Sequence, residues 1–175
     1  MFPKTFSSTR LLLRPVKAED AEAVFNGDAR DPEVTRFLTW RPHVSIEETH
    51  SFIQSSLTAE QSCTYAVLLK ASYELVGVLE LRAPNNTRFE LGYALGRKFW
   101  GNGLMTEALT EVVRWALRQP NTWRVGAVTD VENVGSIRSM ENAGLQQEGT
   151  LRRWLVHPNI CPNPHDCVSL GAVKE

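Results

Sequence analysis

The sequence predicts one mixed α/β domain that covers residues 1–175. A length of 175 residues suits a single hydrophobic core. Apolar residues recur at helical spacing in some segments and alternate with polar residues in others. In chain order the segments are a strand, helices, three strands, a helix, a strand, a helix and two strands, so two strand–helix units follow a meander of strands.

The N-terminal half begins with a strand and continues with helices. Proline is tolerated in the first turn of a helix, because the N–H that it lacks has no partner there, and Pro32 fits that position. Ser45 and Glu48 have the spacing of a capping box. We therefore predict a strand at 10–16, a helix at 18–29, a short helix that starts at Asp31–Pro32 and a helix from Ser45 to about Ala59.

Two helices, of which the first is long and amphipathic, and six strands make up the rest of the chain. Met105, Leu109 and Val112 lie on one stripe of the long helix. Pro120 ends it, and Gly144 closes the helix that follows. The predicted strands are 63–70, 74–82, 88–95, 123–129, 145–156 and 167–173, and the predicted helices are 103–119 and 134–143.

The composition argues against several functions. A formal net charge of −1 is not that of a nucleic-acid binder, which usually has a basic excess. No apolar run is long enough to span a membrane, so no membrane partner is expected. The first ten residues lack the apolar segment of a signal peptide, so a cytoplasmic location is the default expectation for a bacterial chain. Three cysteines do not indicate a disulfide framework.

A glycine-containing turn within residues 90–109 is the most informative feature. It connects a predicted strand to a predicted helix, and Gly101 and Gly103 lie where the helix begins. Glycine allows a ligand to approach the backbone closely. The first amides of a helix have no internal partner and carry partial positive charge, so a pyrophosphate fits there. The turn therefore predicts a phosphate-bearing ligand held by backbone amides.

Two common phosphate-binding motifs do not match this turn. A P-loop requires a Lys-Ser/Thr pair that is absent here, and the third glycine of a dinucleotide motif falls at Thr106. The pattern Lys98-x-x-Gly101-x-Gly103 resembles the pyrophosphate loop of acyl-CoA-dependent N-acetyltransferases, although Lys98 replaces the usual Gln or Arg. The alternative is an ordinary strand-to-helix turn in which the glycines serve geometry alone.

A second segment, 133–152, resembles the pattern N-x-x-S-x-x-x-x-E-x-x-G-F-x-x-E-G-x-x-R of the RimJ/RimL-like branch of the GNAT superfamily. Leu145 replaces the usual Phe, and Asn142 the usual Lys. Segments 10–15 and 31–40 are also similar to this family, so the resemblance covers nearly the whole chain. It implies the single-domain GNAT fold, with a central mixed, mostly antiparallel sheet flanked by helices. It also implies acetyl-CoA as co-substrate, and no metal is expected.

The resemblance implies a set of cofactor-binding residues around the turn and at the start of the next helix. For Asn133 the alternative role is an N-cap, and for Trp100 it is packing of the turn. Tyr93 alternates onto the face of its strand that favours burial. The set is Tyr93, Leu95, Lys98, Trp100, Gly101, Asn102, Gly103, Leu104, Met105, Asn133 and Ser136.

Two side chains are candidate catalytic residues. Glu90 is the candidate general base, directly or through water; its alternative role is a charge partner for Arg88. Ser136 is the candidate acid for the leaving sulfur, as the resemblance implies, and its alternative is a local hydrogen bond in the first turn of a helix. An amide of Tyr93 or Leu95 would stabilise the oxyanion.

The resulting hypothesis is an acetyl-CoA-dependent N-acetyltransferase. The family implies direct attack in a ternary complex, on a protein N-terminal α-amine or on a small-molecule amine, and the sequence does not choose between these acceptors. A catalytically inactive acyl-CoA-binding sensor or interaction module is the alternative. A homodimer is an expectation from the family only.

One further cluster does not belong to this pattern. The residues His157, Cys161, His165 and Cys167 are of types that bind zinc. Their spacing matches no usual zinc motif, and Pro158, Pro162 and Pro164 stiffen the segment. We therefore expect a loop between the last two strands, close to the acceptor side, and no metal site.

Overall fold

A computed structural model describes residues 2–175 and shows an eight-stranded sheet with the strand order β1-β2-β3-β4-β5-β6-β8-β7. All neighbouring pairs are antiparallel except β5 and β6. The strands are β1 Phe6–Ser7, β2 Leu11–Pro15, β3 Ser62–Leu69, β4 Leu75–Asn85, β5 Arg88–Leu95, β6 Arg124–Asp130, β7 Gln146–Val156 and β8 Pro164–Val173. The mixed, mostly antiparallel sheet expected from the resemblance is confirmed.

In the described part of the chain, five α-helices flank the sheet: α1 Ala21–Val24, α2 Pro32–Thr35, α3 Ile46–Thr58, α4 Leu104–Leu117 and α5 Val134–Asn142. The predicted helix at 18–29 is helical throughout, but it is a 3₁₀ turn, α1 and a π turn in succession. The short strand β1 has no counterpart among the predicted elements. Strand β8 begins three residues earlier than predicted, so His165 belongs to a strand and the β7–β8 loop is shorter. Within residues 2–175, no helix is both long and apolar enough to cross a membrane.

The predicted capping box at Ser45 is wrong. Ser45 is the N-cap of α3 by position, but its side chain accepts no capping hydrogen bond. Glu48 instead accepts from the amide of Val44, one residue earlier, at 2.8 Å. The carboxylate thus satisfies an amide outside the helix. Asp31 caps α2 as its sequence position predicts, because its carboxylate accepts from the amide of Glu33 at 2.8 Å.

Hydrophobic side chains cover both faces of the sheet. The larger cluster packs α4 and α5 against one face, where Leu109 and Val112 are fully buried. The smaller cluster packs α1 and α3 against the other face, around Ala66 and Ile53. Burial of each large apolar side chain stabilises the fold by about 1.5–3 kcal/mol. The central strands are consequently fixed from both sides.

The parallel strands β5 and β6 separate soon after they meet. They pair only at Arg88–Arg124, Phe89–Val125 and Glu90–Gly126. Beyond this point β5 stays paired with β4 up to Leu95, while β6 pairs with β8 up to Asp130. We call the opening between residues 91–95 and 127–130 the fork. A fork leaves one edge of β5 available to a ligand.

Candidate active site

The edge of β5 that faces the fork carries unpaired backbone groups. The amide of Gly96 donates to the carbonyl of Val76 in β4 at 2.8 Å. Because successive residues of an antiparallel strand direct their backbone groups to opposite sides, the amides of Tyr93 and Leu95 face the fork. The carbonyl of Leu95 already accepts from Trp100 Nε1 at 2.7 Å. An extended ligand could therefore pair with this edge as an added strand.

A cavity of about 750 Å³ opens at the fork. Its wall includes Glu90 and Ser136, so the fold brings the two predicted catalytic residues together. It also includes Tyr93 and Asn133 of the predicted cofactor set, to which Ser136 belongs as well. A smaller depression of about 530 Å³ along α3 contains His50 but none of the candidate residues. Aromatic side chains from distant parts of the chain also line the larger cavity, and we call the following four the aromatic wall: Phe37, Trp40, Phe52 and Trp154.

Glu90 lies where the fork begins, at the last β5 position that pairs with β6. Its carboxylate is 41% exposed and lies 3.3 Å from Nη2 of Arg88. The alternative predicted for Glu90, a charge partner for Arg88, is therefore present in the structure. Such an exposed pair contributes little energy, so it leaves the carboxylate free to face the cavity as well.

The two carboxylates that line the cavity, Glu80 and Glu90, have arginine partners, and so does Glu148, which pairs with the lining residue Arg124. The pairs are Glu80–Arg82, Glu90–Arg88 and Glu148–Arg124. Hydrogen bonds from Arg124 hold the pKa of Glu148 below its ordinary value, and they raise the pKa of Arg124 in turn. The three arginines and two carboxylates of the lining are consequently balanced once Glu148 is counted with its partner Arg124.

The hydroxyl groups of Tyr93 and Ser136 form a pair beside the fork. Their oxygens lie 2.7 Å apart, and Tyr93 Oη also lies 3.2 Å from the carbonyl oxygen of Ser136. Burial raises the pKa of Tyr93 to about 12, although the hydrogen bond with Ser136 opposes the rise. Tyr93 is thus a neutral donor near neutral pH. Strand alternation predicted its buried face, but its partner on α5 could not be predicted from the sequence.

Asn133 caps α5, as its position predicts. Its side-chain oxygen accepts from the amide of Ser136 at 3.3 Å. Its amide nitrogen donates to Thr129 Oγ1 at 3.1 Å. Because that nitrogen carries two hydrogens, one remains for a ligand in the cavity that Asn133 lines.

The turn before α4 has the geometry of an anion site. Gly101 and Gly103 have φ angles of 76° and 69°, which favour glycine, and Gly103 is the N-cap of α4. The first helical hydrogen bond runs from the amide of Glu107 to the carbonyl of Gly103 at 3.0 Å, which leaves the preceding amides for an anion. Asn102 holds the turn by donating to the carbonyl of Trp100 at 3.1 Å.

Three residues of the predicted cofactor set have side chains that are engaged elsewhere. Leu104 and Met105 are buried in the core, so only their backbone amides could contact a ligand. Lys98 lies 2.5 Å from Glu74 and above the ring of Phe99. Its charge is therefore partly neutralised within the protein, and its predicted contact with a phosphate would have to compete with Glu74.

An anchor for the turn was missed from the sequence because its parts are 97 residues apart. Glu107, in the first turns of α4, accepts from Ser8 Oγ at 2.6 Å. It also accepts from the amide and from Nε of Arg10, at 2.7 and 2.6 Å. Arg10 in turn donates to the carbonyl of Asn102 at 3.0 Å. Burial tends to raise the pKa of Glu107, but these hydrogen bonds outweigh it and lower the pKa.

We expect Glu107→Gln to weaken binding of a phosphate-bearing ligand at the turn about tenfold, or about 1.4 kcal/mol, because the turn loses its anchor. The free energy of unfolding should also fall by roughly 2 kcal/mol, since hydrogen bonds to a charged group are lost. Calorimetric titration with acetyl-CoA and a thermal melt measure the two effects. Glu111→Gln is the matched control, because Glu111 lies one turn later and pairs with Arg114. Equal affinities for both variants would exclude this role for Glu107.

Asn159 in the β7–β8 loop fixes the aromatic wall of the cavity. It donates to the carbonyls of Thr35 and Trp40 at 2.7 and 2.8 Å. The indole of Trp40 packs 4.9 Å from the ring of His43 and 6.4 Å from that of Phe52, between centroids. The loop and the segment after α2 are thereby held together across more than one hundred residues of sequence.

The histidines and cysteines singled out in the sequence lie close together near Asp130. His165 and Cys167, two residues apart in β8, share one face, and His157 Nε2 lies 3.4 Å from Asp130 Oδ2. Within residues 2–175, no three His, Cys, Asp or Glu side chains are arranged to hold a metal ion. Of these side chains, His157 lines the wall of the cavity.

The chain is similar in sequence and in fold to known proteins. The family described as Acetyltransferase (GNAT) domain matches residues 10–146. The uncharacterized N-acetyltransferase YoaA of Bacillus subtilis is 32% identical over 99% of this chain and 98% of its own length. A GNAT-family acetyltransferase from Bacillus anthracis has a similar crystal structure, with a TM-score of 0.86, 23% identity and 97% and 98% of the two chains covered. RimL, a ribosomal-protein α-N-acetyltransferase solved with coenzyme A, gives a TM-score of 0.84 at 21% identity, covering 97% and 98%.

Proposed function

Because this chain belongs to the GNAT acetyltransferase family, we propose that it transfers the acetyl group of acetyl-CoA directly to an α-amine bound in the cavity at the fork. The observation that carries the proposal is the continuity of three features. The glycine turn has free amides and is followed by the unpaired edge of β5. That edge leads to the cavity that bears the carboxylate of Glu90. RimL, which has the same fold, was solved with coenzyme A.

Acetyl-CoA would lie along β5 with its pyrophosphate at the amides that follow Gly101. The pantetheine arm would pair with the backbone of Tyr93 and Leu95, as an added strand does. Trp100 would have to release the carbonyl of Leu95 or share it with the arm. The thioester would then reach the narrow end of the fork near Glu90, where an amide facing the fork would stabilise the oxyanion.

Amide formation requires a neutral amine, and Glu90 would remove its proton directly or through water. The nitrogen attacks the thioester carbonyl, a C–N bond forms, and the C–S bond to CoA breaks. The departing thiolate needs a proton, which the hydroxyl of Ser136 would supply. Tyr93, 2.7 Å away, holds its proton near neutral pH and can return one to Ser136, after which Tyr93 regains a proton from solvent.

The charges of the cavity favour an α-amine over a polyamine or aminoglycoside. A polycation requires an excess of negative charge, whereas Glu80, Glu90 and Glu148 all have arginine partners. An α-amine has a pKa of about 7.7–8.0, against about 10.4 for lysine, so more of it is neutral at physiological pH. The aromatic wall with Trp40 and Trp154 suits an acceptor with an apolar body.

An acyl-CoA-binding module without catalysis is the second candidate. The ion pair between Glu90 and Arg88, at 3.3 Å, favours it, because it gives Glu90 a role that requires no chemistry. The Tyr93–Ser136 pair favours the enzyme, since a pure binding module has no need of a proton donor beside the thioester.

Free-thiol release from acetyl-CoA tests the proposal. The acceptors would be a peptide with a free N-terminus, the same peptide with a blocked N-terminus, a free amino acid, spermidine and an aminoglycoside. We expect turnover with the free α-amines only. Thermal stabilisation by acetyl-CoA without turnover on any acceptor would support the binding module. Turnover confined to spermidine or the aminoglycoside would refute the choice of acceptor.

A further inference from the structure

A cysteine, a histidine and an aspartate form a chain of contacts beside the cavity. Cys161 Sγ lies 3.1 Å from Nε2 of His165. Nδ1 of the same ring lies 2.9 Å from Oδ2 of Asp130. The two nitrogens of one imidazole thus face a thiol on one side and a carboxylate on the other. An activated nucleophile has the same arrangement, in which a base contacts the nucleophile and an acidic side chain orients the base.

Asp130 is placed to orient the ring of His165. It is fully buried, and its other oxygen, Oδ1, accepts from the amide of Glu132 at 2.8 Å. Oδ2 has no aligned hydrogen-bond donor among residues 2–175, so its lone pairs are left to the neighbouring imidazoles. His157 Nε2 is the second of these, at 3.4 Å. A carboxylate beside Nδ1 favours the tautomer whose Nε2 can accept a proton from a thiol.

The three cysteines differ in their surroundings, and only Cys161 combines exposure with a base. Cys161 is half-buried in the loop between β7 and β8. His157, at the start of the same loop, lines the cavity. Burial raises the pKa of Cys63, which has no histidine contact, and that of Cys167, which is fully buried. Cys63 is thus an internal reference for a thiol without a histidine partner in the same molecule.

We propose that Cys161, His165 and Asp130 form a thiol-modification site that accepts acyl groups from thioesters. His165 Nε2 takes the proton of Cys161, and Sγ attacks the thioester carbonyl. The new C–S bond forms, the bond to the departing thiolate breaks, and that thiolate takes the proton from His165. The reaction exchanges one thioester for another, so it requires no oxidant or further reactant.

This site is separate from the amine transfer proposed above. Neither Cys161 nor His165 contributes to the wall of the cavity at the fork, so S-acetyl-Cys161 is not an intermediate of that reaction. Cys161→Ser should therefore leave acetyl-CoA turnover unchanged. The two proposals can fail independently if Cys161 is tested with a thioester that lacks the nucleotide of CoA, because such a thioester does not require the glycine turn.

The probe is S-acetyl-N-acetylcysteamine, a thioester that lacks the nucleotide. Intact mass and peptide mapping would follow acetylation of Cys161 and Cys63 in the same sample at pH 7. We expect Cys161 to react at least tenfold faster than Cys63. In His165→Ala the rate at Cys161 should fall at least tenfold, because a positioned base contributes about 10²–10⁴-fold, and added imidazole should restore part of it. His50→Ala, which removes an exposed histidine on α3, is the matched control and should react like the wild type.

Two results would overturn the proposal. One is acetylation of Cys161 no faster than that of Cys63 in the wild-type protein, a comparison that does not depend on any variant folding. The other is a folded His165→Ala variant, shown by its thermal melt, that reacts at Cys161 as fast as the wild type. Rescue by imidazole separates loss of a base from loss of structure, since a distorted loop would not respond to it.

Discussion

Replacement of Asp28 by asparagine is expected to stabilise the protein by roughly 2–4 kcal/mol at pH 8 and to change little at pH 4. Asp28 lies in the π turn after α1 and is almost fully buried. Neither carboxylate oxygen has a hydrogen-bond partner among residues 2–175. Burial raises the pKa of this carboxyl from 3.8 to about 7, despite an opposing effect of the nearby amides of Ala29 and of Asp28 itself.

The direction of the effect follows from proton binding. With its pKa raised in the fold, Asp28 stays protonated up to about pH 7, whereas in the unfolded chain it ionises near pH 4. The folded protein therefore binds more protons between these values, and stability falls as pH rises through this window. Well above pH 7, Asp28 is ionised in the folded and the unfolded protein, and the loss of stability caused by its buried charge is complete. Asparagine, which is neutral at every pH, removes it.

Urea unfolding from pH 4 to pH 8 measures the difference between variant and wild type. Taking the difference cancels the contributions of other groups, such as Glu107, whose lowered pKa acts in the opposite direction. Glu22→Gln removes an exposed carboxylate from the adjacent α1 and is the control, with an expected difference near zero. A difference for Asp28→Asn that does not vary with pH would contradict the assignment of a protonated carboxyl.

Replacement of Glu90 by glutamine is expected to lower kcat by about 10²–10⁴-fold, because the general base is lost. Binding of acetyl-CoA should be retained, since the amides of the turn and the edge of β5 are unchanged. Thiol release with a peptide α-amine as acceptor measures kcat, and calorimetric titration measures the affinity. Turnover in the variant equal to that of the wild type would remove Glu90 from catalysis.

Arg88→Gln is the matched control for Glu90. It breaks the same 3.3 Å ion pair but keeps the carboxylate. If Glu90 acts as a base, Arg88→Gln retains most of the turnover while Glu90→Gln does not. If the ion pair alone matters, the two variants lose activity equally.

Local patterns predicted most of the fold. The strand 88–95 and the glycine N-cap of α4 follow from alternation and from backbone conformation, which neighbouring residues determine. The fork could not be predicted in the same way, because it depends on where residues 88–90 and 124–126 stop pairing. The prediction of a capping box at Ser45 was wrong because the carboxylate of Glu48 accepts from the amide of Val44 instead.

The site was predicted less completely than the fold. Glu90, Asn133 and Ser136 belong to local motifs, and all three line the cavity. Their partners come from elsewhere in the chain. The hydroxyl of Tyr93 meets a helix 43 residues later, and Arg10 meets a helix 97 residues later. Asp130 meets His165 only because β6 and β8 are neighbours in the sheet. Contacts of this kind are set by the packing of the whole domain.

Calorimetric titration of the wild-type protein with acetyl-CoA tests most directly whether the fork and its glycine turn form an acyl-CoA site. We expect acetyl-CoA to bind at one site per chain, and coenzyme A to bind at the same site. A pantetheine thioester without the pyrophosphate should bind far more weakly. Absence of binding, or equal binding of the truncated thioester, would contradict the role assigned to the amides at Gly101 and Gly103.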